Sequence, residues 1–262
     1  MTTNDDYYFQ ALGPDRFTPT HHVSGGWNPA EQHIAPALGL ITHLIDRDRQ
    51  ARGGGHLAIG RVSFDILGVL AMDAFEAHIN VIRPGKTIEL VEVRLRQAGR
   101  DAVLARCWLM QQYDTARTAG TAFAPMPPLN SLGPAQLGDV WPGGFVRSVE
   151  LRRESPAPGE ARSWVRPQVA LLPDTEVGPV ARLMGLVDVA NGLSPRVLPK
   201  EALFPNLDLT AHLFREPAGD WMGFDTKVSF GKHGVGLTHS VIHDIEGPLG
   251  IVSQALTVRP TQ

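Results

Sequence analysis

Cysteine is nearly absent from this sequence: Cys107 is the only one in 262 residues. No intrachain disulfide can form, so packing and hydrogen bonds alone must hold the fold. Cys107 lies among Leu104, Ala105, Trp108 and Leu109. No His or Asn motif of a thiol nucleophile stands beside it, which points to a core thiol in a strand. An excess of one charge is also lacking. With 24 basic and 27 acidic residues the formal net charge is −3, which gives no electrostatic reason for a nucleic-acid partner. No run approaches the roughly 18 apolar residues of a membrane span. The polar start, Met1 to Asp6, has neither the basic nor the apolar region of a signal peptide. These absences lead us to expect a cytoplasmic protein. Hydrophobic residues at 43% and charged residues at 19% supply a core and exclude a disordered chain.

Proline and glycine concentrate in one place. The stretch Ala124 to Gly144 is rich in both and has no sustained periodicity, so it reads as a connection between two units. We place the N-terminal unit at 1–130, the linker at 131–144 and the C-terminal unit at 145–262. In the first unit, Ile34, Ala37, Leu38, Ile41, Leu44 and Ile45 recur at helical spacing, and Pro36 suits a first helical turn. Strand patterns follow at 57–66, 75–82, 86–97 and 102–111, with a hairpin turn signal at Ala98-Gly99-Arg100-Asp101 and a last short strand at 118–123. In the second unit, Val180, Leu183, Met184, Val187 and Ala190 mark one helix face, stopped by Gly192. Strands are expected at 207–214, 222–230, 236–243 and 249–258. One helix and then a meandering antiparallel sheet, twice over, predicts an α+β protein in which each sheet wraps a central helix. A single unit leaves a sheet edge open, and a second copy can pair with it.

Several runs resemble a known family. Trp27-Asn28-Pro29-Ala30-Glu31-Gln32-His33-Ile34-Ala35-Pro36 is similar to the W-x-P-x-x-Q-H-G-G-P helix start of bacterial thioesterase-like proteins, with Ile34 and Ala35 in place of both glycines. Gly60 to Gly68 and Val81 to Lys86 resemble that family's next strands. Asp188-Val189-Ala190-Asn191-Gly192 resembles D-x-x-N-G, and Asn206 to Leu213 resembles N-x-D-L-T-x-H-L. Ser253-Gln254-Ala255-Leu256 completes the set. The resemblance covers Trp27 to Arg259 and implies a double hotdog related to type II acyl-CoA thioesterases. Those enzymes use an Asp, a Thr and a Gln of the second hotdog and no metal or other cofactor. Carried over, Gln254 falls on the Gln, Asp188 falls near the Asp after a one-residue shift, and Asn206 stands at the Thr position.

Thioester hydrolysis needs an oriented water, a proton acceptor and donors for the developing oxyanion. The resemblance implies Asp188 as base, with Gln254 and Asn206 holding the water. The oxyanion donors would be backbone N–H groups at the helix start, Gln32 to Ala35, which places His33, Ile34 and Ala35 at the substrate together with Asn191. Each residue also has a plainer reading. A charge between Val187 and Val189 is costly unless paired or exposed. Gln254 can face outward from its strand, Asn206 after Pro205 suits a turn, and Asn191 before Gly192 suits a helix end. His33 can cap its helix or polarise a ligand. His239 and His243, four apart in a strand, lie roughly 13 Å apart on one face, too far to share a metal.

Two other functions compete with hydrolysis of acyl-CoA. Ser24 to Pro29 resembles the S-G-D-x-N-P opening of enoyl-CoA hydratases, but Gly26 stands at the catalytic Asp. A non-catalytic acyl-CoA-binding protein fits the loss of both glycines and of the Thr hydroxyl. Two hotdogs in one chain already complete the family's basic pair, so a homo-oligomer is optional.

Overall fold

A computed structural model describes residues 6–261. The helix start is fixed by the residue before it: His33 Nδ1 accepts the Ala35 N–H at 3.2 Å. That bond satisfies one donor orphaned at the first turn, and Pro36 removes another by having no N–H. The helix α1 (Ile34–Ala51) is buried on every side from Ala35 to Ile45, as a helix enclosed between layers must be.

The strands in chain order are β1 (Phe9–Ala11), β2 (Arg16–Pro19), β3 (Leu57–Ile66), β4 (Phe75–Arg83), β5 (Ile88–Gln97), β6 (Arg100–Gln111), β7 (Pro134–Ala135), β8 (Val149–Ala157) and β9 (Glu160–Pro167). Two short helices, α2 (Pro179–Met184) and α3 (Val189–Leu193), come next. The chain ends with β10 (Ala202–Leu203), β11 (Asp208–Leu213), β12 (Met222–Phe230), β13 (Val235–Asp244), β14 (Gly247–Thr257) and β15 (Arg259–Pro260).

Among the described residues, thirteen strands form one sheet, in the order β1-β2-β4-β5-β6-β3-β11-β14-β13-β12-β9-β8-β7. Outward from the β3–β11 junction the two halves repeat a topology: β3-β6-β5-β4-β2-β1 on one side, β11-β14-β13-β12-β9-β8 on the other. The two separate sheets expected from the sequence are therefore a single sheet. Edge pairing is the reason, because the bare N–H and C=O groups of β3 and β11 satisfy each other. Their antiparallel register runs from Asp208↔Asp65 to His212↔Arg61. One apolar cluster runs through both halves.

Long alternating strands lie where their patterns predict. Ala98 (φ 49) and Gly99 (φ 76) make the two-residue turn with left-handed backbone that a type I′ hairpin needs. Four features depart from expectation. No strand forms at 118–123: residues 112–125 are exposed throughout, so pairing there would bury nothing. The second unit's helix is broken into α2 and α3, and Gly192 lies inside α3 instead of stopping a helix. Two strands precede the helix in each half. Of these, β1 and β2 are very short, β8 buries only Leu151, and β9 breaks its alternation at the run Ser163, Trp164 and Val165, all buried. Finally, the connection covers part of the sheet's outer face: His243 is buried there, its Nε2 meeting the Ala124 carbonyl at 3.1 Å. His239 lies on the same face, as expected from their spacing, but stays partly exposed and bonded to Ser253.

Candidate active site

The α1–α2 crossing builds the site. A Cβ on Gly39 would stand 2.9 Å from Gly185 Cα and 3.0 Å from the Ala181 carbonyl oxygen, so only glycine lets the two backbones approach this closely. Three residues beyond Gly185 comes Asp188, which this contact sets beside the start of α1. Its Oδ2 lies 3.6 Å from His33 Nδ1. Asn206, between β10 and β11, donates from Nδ2 to Asp188 Oδ1 at 2.7 Å. Nearby are Leu183, Leu186, Val187, Val189 and Ala190, all fully or nearly fully buried.

Burial decides the charge states. Desolvation raises the Asp188 pKa from 3.8 to about 7, against the opposing pull of the Asn206 hydrogen bond. Desolvation lowers the His33 pKa from 6.5 to about 3. Although the pair lies within ion-pair distance, the imidazole is neutral at ordinary pH, and its Nδ1 lone pair is taken by the Ala35 N–H. It is a contact without a charge on the histidine.

Asp188, Asn206, Asn191, His33 and Ile34 line one cleft of about 380 Å³, within the usual range of small-molecule sites. The sequence scatters these five residues over three segments, and the fold brings them together. Two expected residues stay outside. Ala35 is fully buried and absent from the cleft wall. Gln254 is buried behind it, donating from Nε2 to the Val187 carbonyl at 3.4 Å, with Oε1 unpaired. Its contact is with the main chain next to Asp188, not with the cleft. Asn191 is a brace: it donates to the Phe204 carbonyl at 2.9 Å and accepts from Thr238.

The backbone donors expected at Gln32 to Ala35 are largely spent. Gln32 N–H is bonded to Leu70 O at 2.7 Å, His33 N–H to Val23 O at 2.8 Å, and Ala35 N–H to His33 Nδ1. Within that run the Ile34 N–H remains.

One wall of the cleft was not anticipated. Trp141 comes from the Pro/Gly-rich connection and packs edge-on against Trp27 at 4.7 Å and Phe204 at 6.0 Å. Its Nε1 donates to the Gly192 carbonyl at 3.2 Å. A tryptophan isolated in a loop segment was the one sequence signal available for it. Arg259 is the cleft's single cationic lining residue among those described, and Glu31 lies at its α1 end.

A buried helix laid against antiparallel strands, repeated about a shared sheet with the cleft at the helix ends, defines a hot dog protein. The particular family follows from the chain itself: it belongs to the acyl-CoA thioesterases. Residues 23–110 match the acyl-CoA thioesterase N-terminal domain and residues 122–258 the acyl-CoA thioesterase C-terminal domain. The fold is similar to that of a conserved protein with a hot dog fold from Alicyclobacillus acidocaldarius, at 10% identity and TM-score 0.76 over 100% of both chains. It is also similar to an acyl-CoA thioesterase II from Mycobacterium marinum, at 16% identity and TM-score 0.67 over 97% of this chain and 96% of that one. A tesB protein from Mycobacterium avium subspecies paratuberculosis gives 16% identity and TM-score 0.62 over 96% of each. No curated protein matches the chain. Among the described residues no helix is long and apolar enough to cross a membrane.

Proposed function

We propose that this protein hydrolyses acyl-CoA thioesters, with Asp188 as the base that takes a proton from the attacking water. The observation that carries the reading is a buried carboxyl group on the cleft wall, held by Asn206 and facing a neutral histidine. A pKa near 7 makes Asp188 a far better proton acceptor than an ordinary carboxylate, yet leaves much of it ionised at neutral pH. Water adds to the thioester carbon and its proton passes to Asp188. The tetrahedral intermediate collapses, the C–S bond breaks, and the departing thiolate takes that proton. The products are the free acid and CoA thiol.

Asn206 acts by fixing Oδ1, which leaves Oδ2 to meet the water. Gln254 acts as a positioning residue through the Val187 carbonyl. The spent N–H groups at the start of α1 favour a second reading, in which the cleft binds acyl-CoA without turning it over. One assay separates the two. The purified protein is offered acyl-CoAs of several chain lengths and free thiol is followed, with Asp188→Asn alongside. We expect release by the wild type and a loss of at least about 100-fold in kcat for the variant. Tight binding with no thiol from any chain length would refute hydrolysis and leave the binding protein. Full activity in Asp188→Asn would discard this base.

A further inference from the structure

The geometry points to the His33 side chain, donating from Nε2, as the group that holds the thioester carbonyl oxygen while it becomes an oxyanion. This assignment rests on the hydrolytic reading above and completes it. A developing oxyanion needs preorganised donors, and the main chain at the start of α1 is short of them. Gln32, His33 and Ala35 have committed their N–H groups, and Pro36 has none.

His33 makes good the shortage. Its Nδ1 accepts the Ala35 N–H at 3.2 Å, so the neutral ring must carry its proton on Nε2. The helix cap thereby chooses the tautomer. Among the described residues Nε2 has no protein acceptor. Nor is it among the unpaired side-chain atoms sealed from solvent, unlike Oε1 of Gln32 and of Gln254. His33 lines the cleft, so this free N–H is available to a ligand there.

The ring is also held in place. It lies against Phe145, with centroids 4.2 Å apart at 37°, and Phe145 is fully buried. Asp188 Oδ2, at 3.6 Å from Nδ1, sets the base and the donor on neighbouring parts of one wall. Burial keeps the imidazole neutral well below the range in which Asp188 titrates. A neutral N–H stabilises the oxyanion by hydrogen bonding without protonating it. The water proton thus goes to Asp188 and on to sulfur, while His33 keeps its own throughout.

The test uses the full chain labelled with ¹⁵N-histidine. As probe we take a carba-analogue of acyl-CoA, in which CH₂ replaces the thioester sulfur and the carbonyl is retained. His33 should show the Nε2–H tautomer, should not titrate between about pH 5 and 8, and its Nε2–H signal should move downfield on saturation with the analogue. His33→Asn keeps a side-chain oxygen for the Ala35 N–H, since Asn is a strong N-cap, but withdraws the ring donor. Its kcat should fall on the order of 100-fold with KM little changed, and the activity limb near pH 7 should persist. An Nε2–H signal unmoved in the saturated complex overturns the assignment. So does a His33→Asn enzyme that retains the wild-type kcat. Should the wild type release no thiol, the hydrolytic reading falls, and the analogue titration still decides whether His33 meets the carbonyl. A wild type that neither releases thiol nor binds the analogue defeats both.

Discussion

Asp188 is an acid made weak by its surroundings, and Asn206 limits how weak. Desolvation favours the neutral carboxyl, while the 2.7 Å bond from Asn206 favours the carboxylate. The base works only when deprotonated, so kcat/KM should rise with pH through about 7 and level off above it. Removing the opposing bond has a definite sign. In Asn206→Ala the carboxylate loses its donor, its pKa climbs further, and the rising limb moves to higher pH. A kcat/KM profile of wild type and variant checks this, and an unmoved limb would mean that Asn206 does not set the base. Cys107 offers the contrast of a buried group with no task. Burial pushes its thiol far up, so it stays protonated and inert.

At the scale of elements, the close crossing of α1 and α2 positions the chemistry. Gly39 meets Gly185 where a side chain on Gly39 would strike backbone, and backbone cannot swing aside. Helix propensity alone would make Gly39→Ala stabilising by roughly 0.5–1 kcal/mol. Here the added methyl must push α2 away, and we expect a net loss of about 1–3 kcal/mol, measurable by urea denaturation. The same displacement should lower kcat, because it separates Asp188 from His33. The break between α2 and α3 belongs to this crossing too. Periodicity from Val180 to Ala190 suggested one helix face, but Gly185 sits against α1 and the chain turns there before Asp188.

For the whole molecule, the β3–β11 ladder makes two units one body. Ala211 is fully buried on β11 and pairs with Val62 on one side and Val252 on the other. A proline there removes a ladder hydrogen bond inside a central strand and leaves a buried carbonyl unpaired, so Ala211→Pro should cost about 1–3 kcal/mol from that loss alone. Because the core cluster also spans both halves, the wild type should unfold in a single transition. Circular dichroism and tryptophan fluorescence should therefore give coincident urea curves. Two separated transitions would show that the units are energetically independent. The Pro/Gly-rich connection takes part in this unity: Leu132, Leu137 and Trp141 are buried, and Trp164 Nε1 bonds the Pro127 carbonyl.

The sequence by itself determined the parts whose signals are local. Strong alternation located β3 and β12 to the residue, helical spacing located α1, and the run Ala98 to Asp101 located a hairpin whose turn proved to be Ala98-Gly99. The family resemblance singled out Asp188, and its place between Val187 and Val189 made that charge one to be explained. Only the tertiary structure could decide what depends on neighbours distant in the chain. The joining of two edges into one sheet, the broken second helix and the burial of His243 beneath the connection are of that kind. So are the Trp141 wall, the retreat of Gln254 behind the cleft and the spending of the helix-start donors. Periodicity reports which face of an element is apolar. It carries no information about which backbone groups a partner segment will satisfy, and at this site that bonding decides which donors remain free.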